Sequence, residues 1–341
     1  MPNKAVNRCG GWRVFRIPSR RTPPRYLVRS PGFFVEGQLL EDCDVRQMLQ
    51  SLVLVVLALF AMSASAQQPA KPPELKKVSV AEGVELHYVE RGKGVPVVFV
   101  HGTGSEYGAW NAHLGPFAES YRAIAYSRRY NSPNTNKVQP KHSPLVEAED
   151  LAALIKKLDL GKVHIVGHSY GAYIALILAV KHPEQIRSLT LGEPPAAFSG
   201  DGPDKGREKM LRDAQAAFAK GDKEGAMRAF SEFIEPGLYE KFPEAIRKQQ
   251  LQNTLELEVW AAAGDVYPGL DREAVRKIDV PVLLLSGEKS PRFFKQIEEE
   301  LERLLPEKGR QHIIIRNAHH GMLFQSPEEC REAILKFIKD K

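Results

Sequence analysis

The stretch Val163-His164-Ile165-Val166-Gly167-His168-Ser169-Tyr170-Gly171 decides how the rest of the chain is organised. Its apolar, β-branched start predicts a buried strand, and the Ala-rich apolar run over residues 172–180 predicts a helix. Between them, Gly-x-Ser-x-Gly predicts a tight turn, because the glycines let strand and helix approach closely. Such a turn exposes the Ser169 hydroxyl at the end of the strand, near the free N–H groups of the helix. We interpret Ser169 as a nucleophile, with an ordinary strand–helix turn as the alternative.

Strand and helix patterns alternate around this turn. Continuous apolar runs at Pro96–Val100 and Pro281–Leu285 predict strands buried on both faces of a mostly parallel sheet. Residues 200–275 differ, since they have the pattern of amphipathic helices with no strand among them. These helices are predicted at about Gly206–Ala219, Lys223–Phe233 and Pro243–Ala263. The chain therefore predicts an α/β fold with helices on both faces of the sheet and one helical cap.

The N-terminal segment has the composition of a leader. Leu52–Met62 is unbroken and apolar but shorter than the roughly 20 residues that span a bilayer. Small residues follow it up to Ala66, which predicts a signal peptide over residues 48–66, cleaved after Ala66; a buried core helix is the alternative. We expect residues 1–47 to be an over-extended start without a fold and residues 67–74 to be a linker. The mature protein would be periplasmic or secreted, with no stable membrane insertion.

Charge and cysteine content agree with a leader that is later removed. The net charge is +6, but residues 1–66 hold nine Lys or Arg against four Asp or Glu, so the remainder is nearly neutral. This excludes a nucleic-acid partner. Of the three cysteines, only Cys330 lies outside the leader, so no internal disulfide is expected. The sequence has no metal-ligand cluster, phosphate-binding glycine loop or nucleotide motif, so we expect no cofactor and no metal.

From about Leu75 to its end, the chain resembles the α/β-hydrolase superfamily, of the type with a helical cap between strands 6 and 7. The resemblance implies a core at residues 75–195 and 276–341 and a cap at 196–275. In this family the nucleophile is followed along the chain by an acid and then by a histidine. It implies that His320 is the base, while His319, in the place of the usual glycine, is the alternative. Imidazole suits this role because its ordinary pKa lies near neutrality.

The acid position departs from the family pattern. The loop Gly287-Glu288-Lys289-Ser290 places Ser290 where an aspartate is usual, and a serine cannot stabilise an imidazolium ion. Glu193, at the exit of the sixth strand, is our preferred acid, because Pro194 and Pro195 fix its direction. Glu288, at the exit of the seventh strand, remains the alternative. Either glutamate could instead cap a helix or pair with an arginine.

The resemblance also implies an oxyanion hole formed by the backbone N–H groups of Thr103 and Tyr170. His101 lies two residues before Thr103, and we expect it to shape the loop that carries Thr103 rather than to react. His168 receives no role. In the cap, four aromatic residues could line a pocket, although their helical spacing is more typical of core packing: Phe230, Phe233, Trp260 and Tyr267.

A serine at position 169, rather than the aspartate of dehalogenase and epoxide-hydrolase relatives, indicates acyl transfer. We therefore expect an exported serine hydrolase that cleaves a small carboxylic ester or lactone through an acyl-enzyme. Two alternatives use the same three roles: a carbon–carbon bond hydrolase, and a haloperoxidase or perhydrolase type. A hypothesis from another class is a non-catalytic protein that keeps the pocket in order to bind a ligand.

Overall fold

The computed structural model describes residues 73–201, 204–263 and 267–341, together with the backbone of four strands near the N-terminus. Within the unit Met1–Pro72, these strands form an antiparallel sheet in chain order: Asn7–Cys9, Trp12–Ile17, Arg25–Ser30 and Phe33–Gln38. These strands differ from the expectation that residues 1–47 have no fold. The aromatic and β-branched residues of this segment favour strands. The predicted signal peptide, residues 48–66, lies outside the described residues.

The unit Pro73–Lys341 is built on an eight-stranded sheet. Its strands are β1 (Lys76–Ala81), β2 (Val84–Arg91), β3 (Pro96–Val100), β4 (Arg122–Tyr126), β5 (Val163–His168), β6 (Ile186–Gly192), β7 (Val282–Gly287) and β8 (Arg310–Ile315). Their order across the sheet is β8-β7-β6-β5-β3-β4-β2-β1. The β1–β2 and β2–β4 pairs are antiparallel and the others are parallel, which confirms the mostly parallel sheet. Loops that follow the parallel strands therefore meet at one edge.

The described α-helices of this unit cover both faces of the sheet, as predicted, and also form the cap. They are α1 (Asn111–Phe117), α2 (Pro144–Lys157), α3 (Tyr170–Lys181), α4 (Lys205–Phe218), α5 (Lys223–Ile234), α6 (Leu238–Lys241), α7 (Glu244–Gln252), α8 (Thr254–Ala263), α9 (Arg272–Arg276), α10 (Arg292–Leu304), α11 (Met322–Gln325) and α12 (Pro327–Ile338). One apolar cluster packs α2, α3 and α10 on the sheet, and a second packs α1 and α12. Within the described residues, no helix has both the length and the apolar character needed to cross a membrane.

The cap follows β6 and precedes β7, and helices α4 to α8 form it. The long helix predicted over Pro243–Ala263 is instead two helices, α7 and α8, which meet at Asn253. The side chain of Asn253 explains the break, because its Oδ1 accepts a hydrogen bond from the backbone N–H of Ser132 in the core (2.7 Å). Where the cap returns to the core, Phe198 and Leu270 form an isolated parallel bridge.

Candidate active site

Ser169 lies on the sharp turn between β5 and α3, with a positive φ of 52° that is uncommon for a residue with a side chain. The two glycines of the motif are required by space. A Cβ atom on Gly167 would lie 2.6 Å from Cα of Ala172, and one on Gly171 would lie 2.3 Å from the carbonyl oxygen of Val100. The turn is therefore as tight as the sequence predicts, and it holds the backbone of Ser169 in a strained conformation.

His320 and Glu193 are in direct contact. Nδ1 of His320 lies 2.6 Å from Oε2 of Glu193, and the other carboxylate oxygen accepts the backbone N–H of Gly287 (2.8 Å). Glu193 is fully buried and has a positive φ of 48°. Burial acts to raise the pKa of Glu193, but the hydrogen bond and charge of His320 outweigh it and hold this pKa below its ordinary value. The carboxylate is therefore ionised at neutral pH.

Glu288, the alternative acid, binds elsewhere. Its Oε2 accepts the backbone N–H of Asn317 (2.7 Å), and its side chain is exposed. Ser290, which stands where the family has an aspartate, is buried beside Glu193, and its hydroxyl helps to lower the pKa of that carboxyl. Its Oγ makes no hydrogen bond of ordinary geometry to the described residues. The structure thus brings Glu193, and not Glu288, to His320.

His320 is held in place through both its ring and its backbone. Its ring stacks on Phe294, with 3.9 Å between ring centroids and 8° between ring planes, and its backbone carbonyl accepts Nε2–H of His168 (2.8 Å). His320 and Ser169 line the same cavity. Within the described part of the chain, no hydrogen bond joins Ser169 Oγ to His320 Nε2. Such bonds are often long in sites without substrate and tighten in the complex.

His168 is a residue to which the sequence assigned no role. Burial, and then the neighbouring His320, lower the pKa of His168 to about 3, so its ring is neutral. It uses Nε2–H to hold the backbone of His320, while its own backbone precedes the nucleophile. This residue therefore ties the turn of Ser169 to the loop of His320. Nothing in the single sequence signals this, because the contact spans 152 positions of the chain.

The two expected oxyanion donors belong to the helix that begins after Ser169 and to the loop that passes beside it. Tyr170 is the first residue of α3, and Thr103 follows Gly102. A Cβ atom on Gly102 would lie 3.1 Å from Cβ of Ser169, so this loop approaches the nucleophile as closely as a glycine allows. Neither backbone N–H donates a hydrogen bond to any of the residues that the structure describes.

Behind this loop lies a buried arginine that the sequence analysis missed. Arg128 donates from Nε to the carbonyl of His101 (3.0 Å) and from Nη2 to that of Gly102 (3.3 Å). Its backbone N–H donates to Nε2 of His101 (3.0 Å), so Nδ1–H of that imidazole donates to Gly102 (2.8 Å). Burial lowers the pKa of His101 well below its ordinary value, which keeps the ring neutral. His101 thus shapes the loop, as expected, and Arg128 holds the same loop through its hydrogen bonds to the carbonyls of His101 and Gly102.

Two buried carboxylates contact the guanidinium group of Arg128. Glu147 of α2 lies 2.8 Å from Nη1, and Glu256 of the cap helix α8 contacts the same nitrogen. Burial acts to raise the pKa of Glu147, but Arg128 and His142 lower it to about 2. The cluster joins the cap, the core and the oxyanion loop through one guanidinium group. The only sequence signal for it is Arg128-Arg129 directly after an apolar strand.

The cavity over Ser169 has a volume of about 520 Å³. Its apolar wall comes mainly from the cap: Phe230, Ile234, Leu238, Phe242 and Ile246. Of the four cap aromatics considered from the sequence, only Phe230 is among the described lining residues. Trp260 instead packs on Tyr170, with 4.4 Å between ring centroids, and Phe233 packs on Phe293.

A mostly parallel sheet with a serine on a tight turn after β5, a histidine after β8 and a cap between β6 and β7 defines an α/β-hydrolase. The chain belongs to this family: the sequence model of the Alpha/beta hydrolase family matches residues 97–333, more than half of the chain.

Several known proteins are similar to this chain. The putative non-heme bromoperoxidase BpoC of Mycobacterium tuberculosis is 28% identical over 277 residues, which cover 75% of this chain and 98% of that protein. The 2-hydroxymuconate semialdehyde hydrolase of Pseudomonas sp. (strain CF600) is 27% identical over 126 residues, only 36% of this chain and 44% of that protein. A thermophilic esterase from Thermogutta terrifontis has the same fold, with a TM-score of 0.65, 24% identity and coverage of 78% and 98% of the two chains.

Proposed function

We propose that this protein is an exported serine hydrolase that cleaves a small carboxylic ester or lactone through an acyl-enzyme. The observation that supports this most is the 2.6 Å contact between His320 and Glu193 in a site whose cavity is also lined by Ser169. A buried, ionised carboxylate on Nδ1 holds the imidazole with Nε2 free to accept a proton. The esterase from Thermogutta terrifontis, which shares the fold, is consistent with this chemistry.

The proposed reaction has two steps. Ser169 Oγ attacks the carbonyl carbon while His320 takes its proton, and the oxyanion is bound by the N–H groups of Thr103 and Tyr170. The histidine then gives the proton to the leaving alcohol, which leaves an acyl group on the serine. In the second step His320 takes a proton from water, which attacks the acyl carbon. The histidine then returns the proton to Ser169 Oγ as the acyl–serine bond breaks and the carboxylic acid leaves. Glu193 stabilises the imidazolium ion in both steps.

A fluorophosphonate probe tests this proposal, because it reacts with an activated serine and not with an ordinary hydroxyl. We expect stoichiometric labelling of the folded wild-type protein and none of Ser169→Ala. Circular dichroism shows whether the variant is folded. A folded wild-type protein that takes up no label contradicts the proposal and favours the non-catalytic ligand-binding alternative. A Ser169→Ala variant that labels equally well contradicts the assignment of Ser169 as the nucleophile.

Export is a separate part of the proposal and rests on the apolar run before Ala66. Expression in a bacterium with the leader intact should give a shortened protein in the periplasm or the medium, with Gln67 as its first residue. N-terminal sequencing checks this. A full-length protein that stays in the cytoplasm contradicts export without affecting the chemistry.

The alternative activities also have support. Carbon–carbon bond hydrolysis is supported by the resemblance to 2-hydroxymuconate semialdehyde hydrolase, which covers less than half of each chain. A haloperoxidase type is supported by the longer match to BpoC. Both activities would use the same three roles of nucleophile, base and acid, so turnover of matched substrates distinguishes them from an esterase.

A further inference from the structure

We propose that the cavity over Ser169 admits uncharged acyl groups and rejects those that carry a carboxylate, and that Glu106 is the residue that sets this selectivity. The inference rests on the proposed function and names the substrate class of the same site. The inference follows from the two carboxylates in the cavity wall, of which only one is paired with a cation, and from the small volume in which a substrate must lie.

The charged groups of the wall are acidic or already paired. Its described lining residues include two carboxylates, Glu106 and Glu235, and no lysine or arginine. Glu235 has two cationic or protonatable partners, since Lys241 Nζ lies 2.6 Å from one oxygen and His319 Nδ1 lies 3.1 Å from the other. Its charge is therefore balanced at the wall.

Glu106, in contrast, has neutral partners. One of its oxygens accepts the backbone N–H of Gly108 (2.9 Å) and the other accepts Nε2–H of Gln249 on the cap helix α7 (3.0 Å). Burial raises the pKa of Glu106 above its ordinary value although these two donors oppose the rise, and no charged neighbour contributes. Its negative charge is thus not cancelled by a nearby cation among the described residues.

Glu106 lies three positions after Thr103, at the junction of the oxyanion loop and the cap. A substrate inside a cavity of about 520 Å³ holds all of its groups near this carboxylate. Water and salt screen two charges poorly in such a space, so a second carboxylate is repelled. A site built for a carboxylate would instead offer an arginine or a lysine.

The apolar part of the wall supports the same conclusion. Phe230, Leu238 and Phe242 from the cap face the cavity. They favour an aliphatic or aromatic acyl group through burial of apolar surface. We therefore expect this chain to prefer uncharged substrates. The 2-hydroxymuconate semialdehyde hydrolase is named for a substrate that carries a carboxylate.

Two esters of the same size test this inference at pH 8. One is the mono-p-nitrophenyl ester of adipic acid, and the other is the same ester with the free carboxylate replaced by its primary amide. The two acyl groups match in length and shape and differ in charge. We expect the wild-type protein to cleave the amide with a kcat/KM at least about tenfold higher than the carboxylate.

The variant Glu106→Gln keeps an oxygen that can accept the N–H of Gly108 and removes the charge. We expect it to reduce the preference for the amide by about tenfold, through faster cleavage of the carboxylate ester. Glu288→Gln is the matched control, because it removes an exposed carboxylate that is not among the described lining residues. It should leave the preference unchanged.

Three results overturn the inference. The wild-type protein could cleave the carboxylate ester as well as the amide, or Glu106→Gln could leave the preference intact. A loss of the preference in Glu235→Gln alone would transfer the role to that residue. All three require turnover and leave the proposed function standing. If a folded protein cleaves neither ester and takes up no fluorophosphonate, the proposed function fails and the selectivity fails with it.

Discussion

Nδ1 of His320 lies 2.6 Å from Oε2 of Glu193, although the two residues are 127 positions apart in the chain. They meet because the loops after β6 and β8 reach the same edge of a mostly parallel sheet. The second oxygen of Glu193 is held by the backbone N–H of Gly287 at the end of β7. Glu193 thus follows the sixth strand and is held in place by the end of the seventh.

The two glutamates provide a matched pair of variants. We expect Glu193→Gln to lower kcat by about 10⁴, because the amide cannot stabilise the imidazolium ion. Glu288→Gln should keep kcat within about twofold, since its carboxylate binds the backbone of Asn317. Steady-state hydrolysis of p-nitrophenyl butyrate measures both. Loss of activity in Glu288→Gln alone would show that the acid has been assigned to the wrong strand.

The two adjacent histidines give a second comparison. Replacing His320 with glutamine should reduce kcat by roughly 10⁴ or more, because it removes the proton acceptor. Replacing His319 with glutamine should change kcat/KM by no more than about fivefold, since its ring contacts Glu235 of the cap and not Glu193. The same assay checks both variants. The opposite order of effects would make His319 the base.

Arg128 is expected to act by positioning the oxyanion loop. A lysine keeps the charge but cannot donate to the carbonyls of His101 and Gly102 while also binding two carboxylates. We predict that Arg128→Lys lowers kcat by about 10² with little change in KM, as expected when an interaction made in the transition state is lost.

The control for this prediction is the neighbouring arginine. Arg129 binds Asp150 through two nitrogens, at 2.7 and 2.6 Å, and is also buried. Arg129→Lys should lower the melting temperature without the drop in kcat. If both variants lose activity in proportion to their loss of stability, Arg128 is a structural residue only.

The protonation of Glu298 is expected to make the stability of the folded protein depend on pH. Burial, and then the negative charge of Glu193, raise the pKa of the Glu298 carboxyl to about 9, from an ordinary 4.5. Between these values the folded protein keeps a proton that the unfolded chain releases, so this group favours folding less and less as the pH rises towards 9. Glu298→Gln removes this dependence. It should raise the melting temperature by several degrees at pH 8.5 and by much less at pH 5. An equal difference at both pH values contradicts the shifted pKa.

Much of the core could be predicted because its signals are local. Glycines within two residues of Ser169 predict the turn. Continuous apolar runs predict buried parallel strands such as β3 and β7. The candidate acid could be narrowed to Glu193 and Glu288 because each follows the end of a predicted strand, and the prolines after Glu193 favoured that residue. These features depend on a few neighbouring residues, which a sequence displays directly.

The remainder depends on packing between distant segments. Arg128 is important because α2, the cap helix α8 and the oxyanion loop all converge on it, and none of these contacts is visible in its neighbours along the chain. The same is true of His168 and the carbonyl of His320. The break between α7 and α8 arises from a contact of Asn253 with the core, so amphipathic periodicity alone predicted one helix. The sequence alone could not show that Trp260 packs on Tyr170 and does not line the cavity, because this contact also joins distant segments.

The most direct measurement of the central claim is the mass of the protein during turnover. Rapid mixing with p-nitrophenyl acetate, followed by acid quenching and peptide mapping, should reveal one acetyl group per chain, attached to Ser169. Glu193→Gln should form this adduct far more slowly, and Ser169→Ala should not form it. Release of p-nitrophenol with no adduct, or with the acetyl group on another residue, would contradict an acyl-enzyme at Ser169.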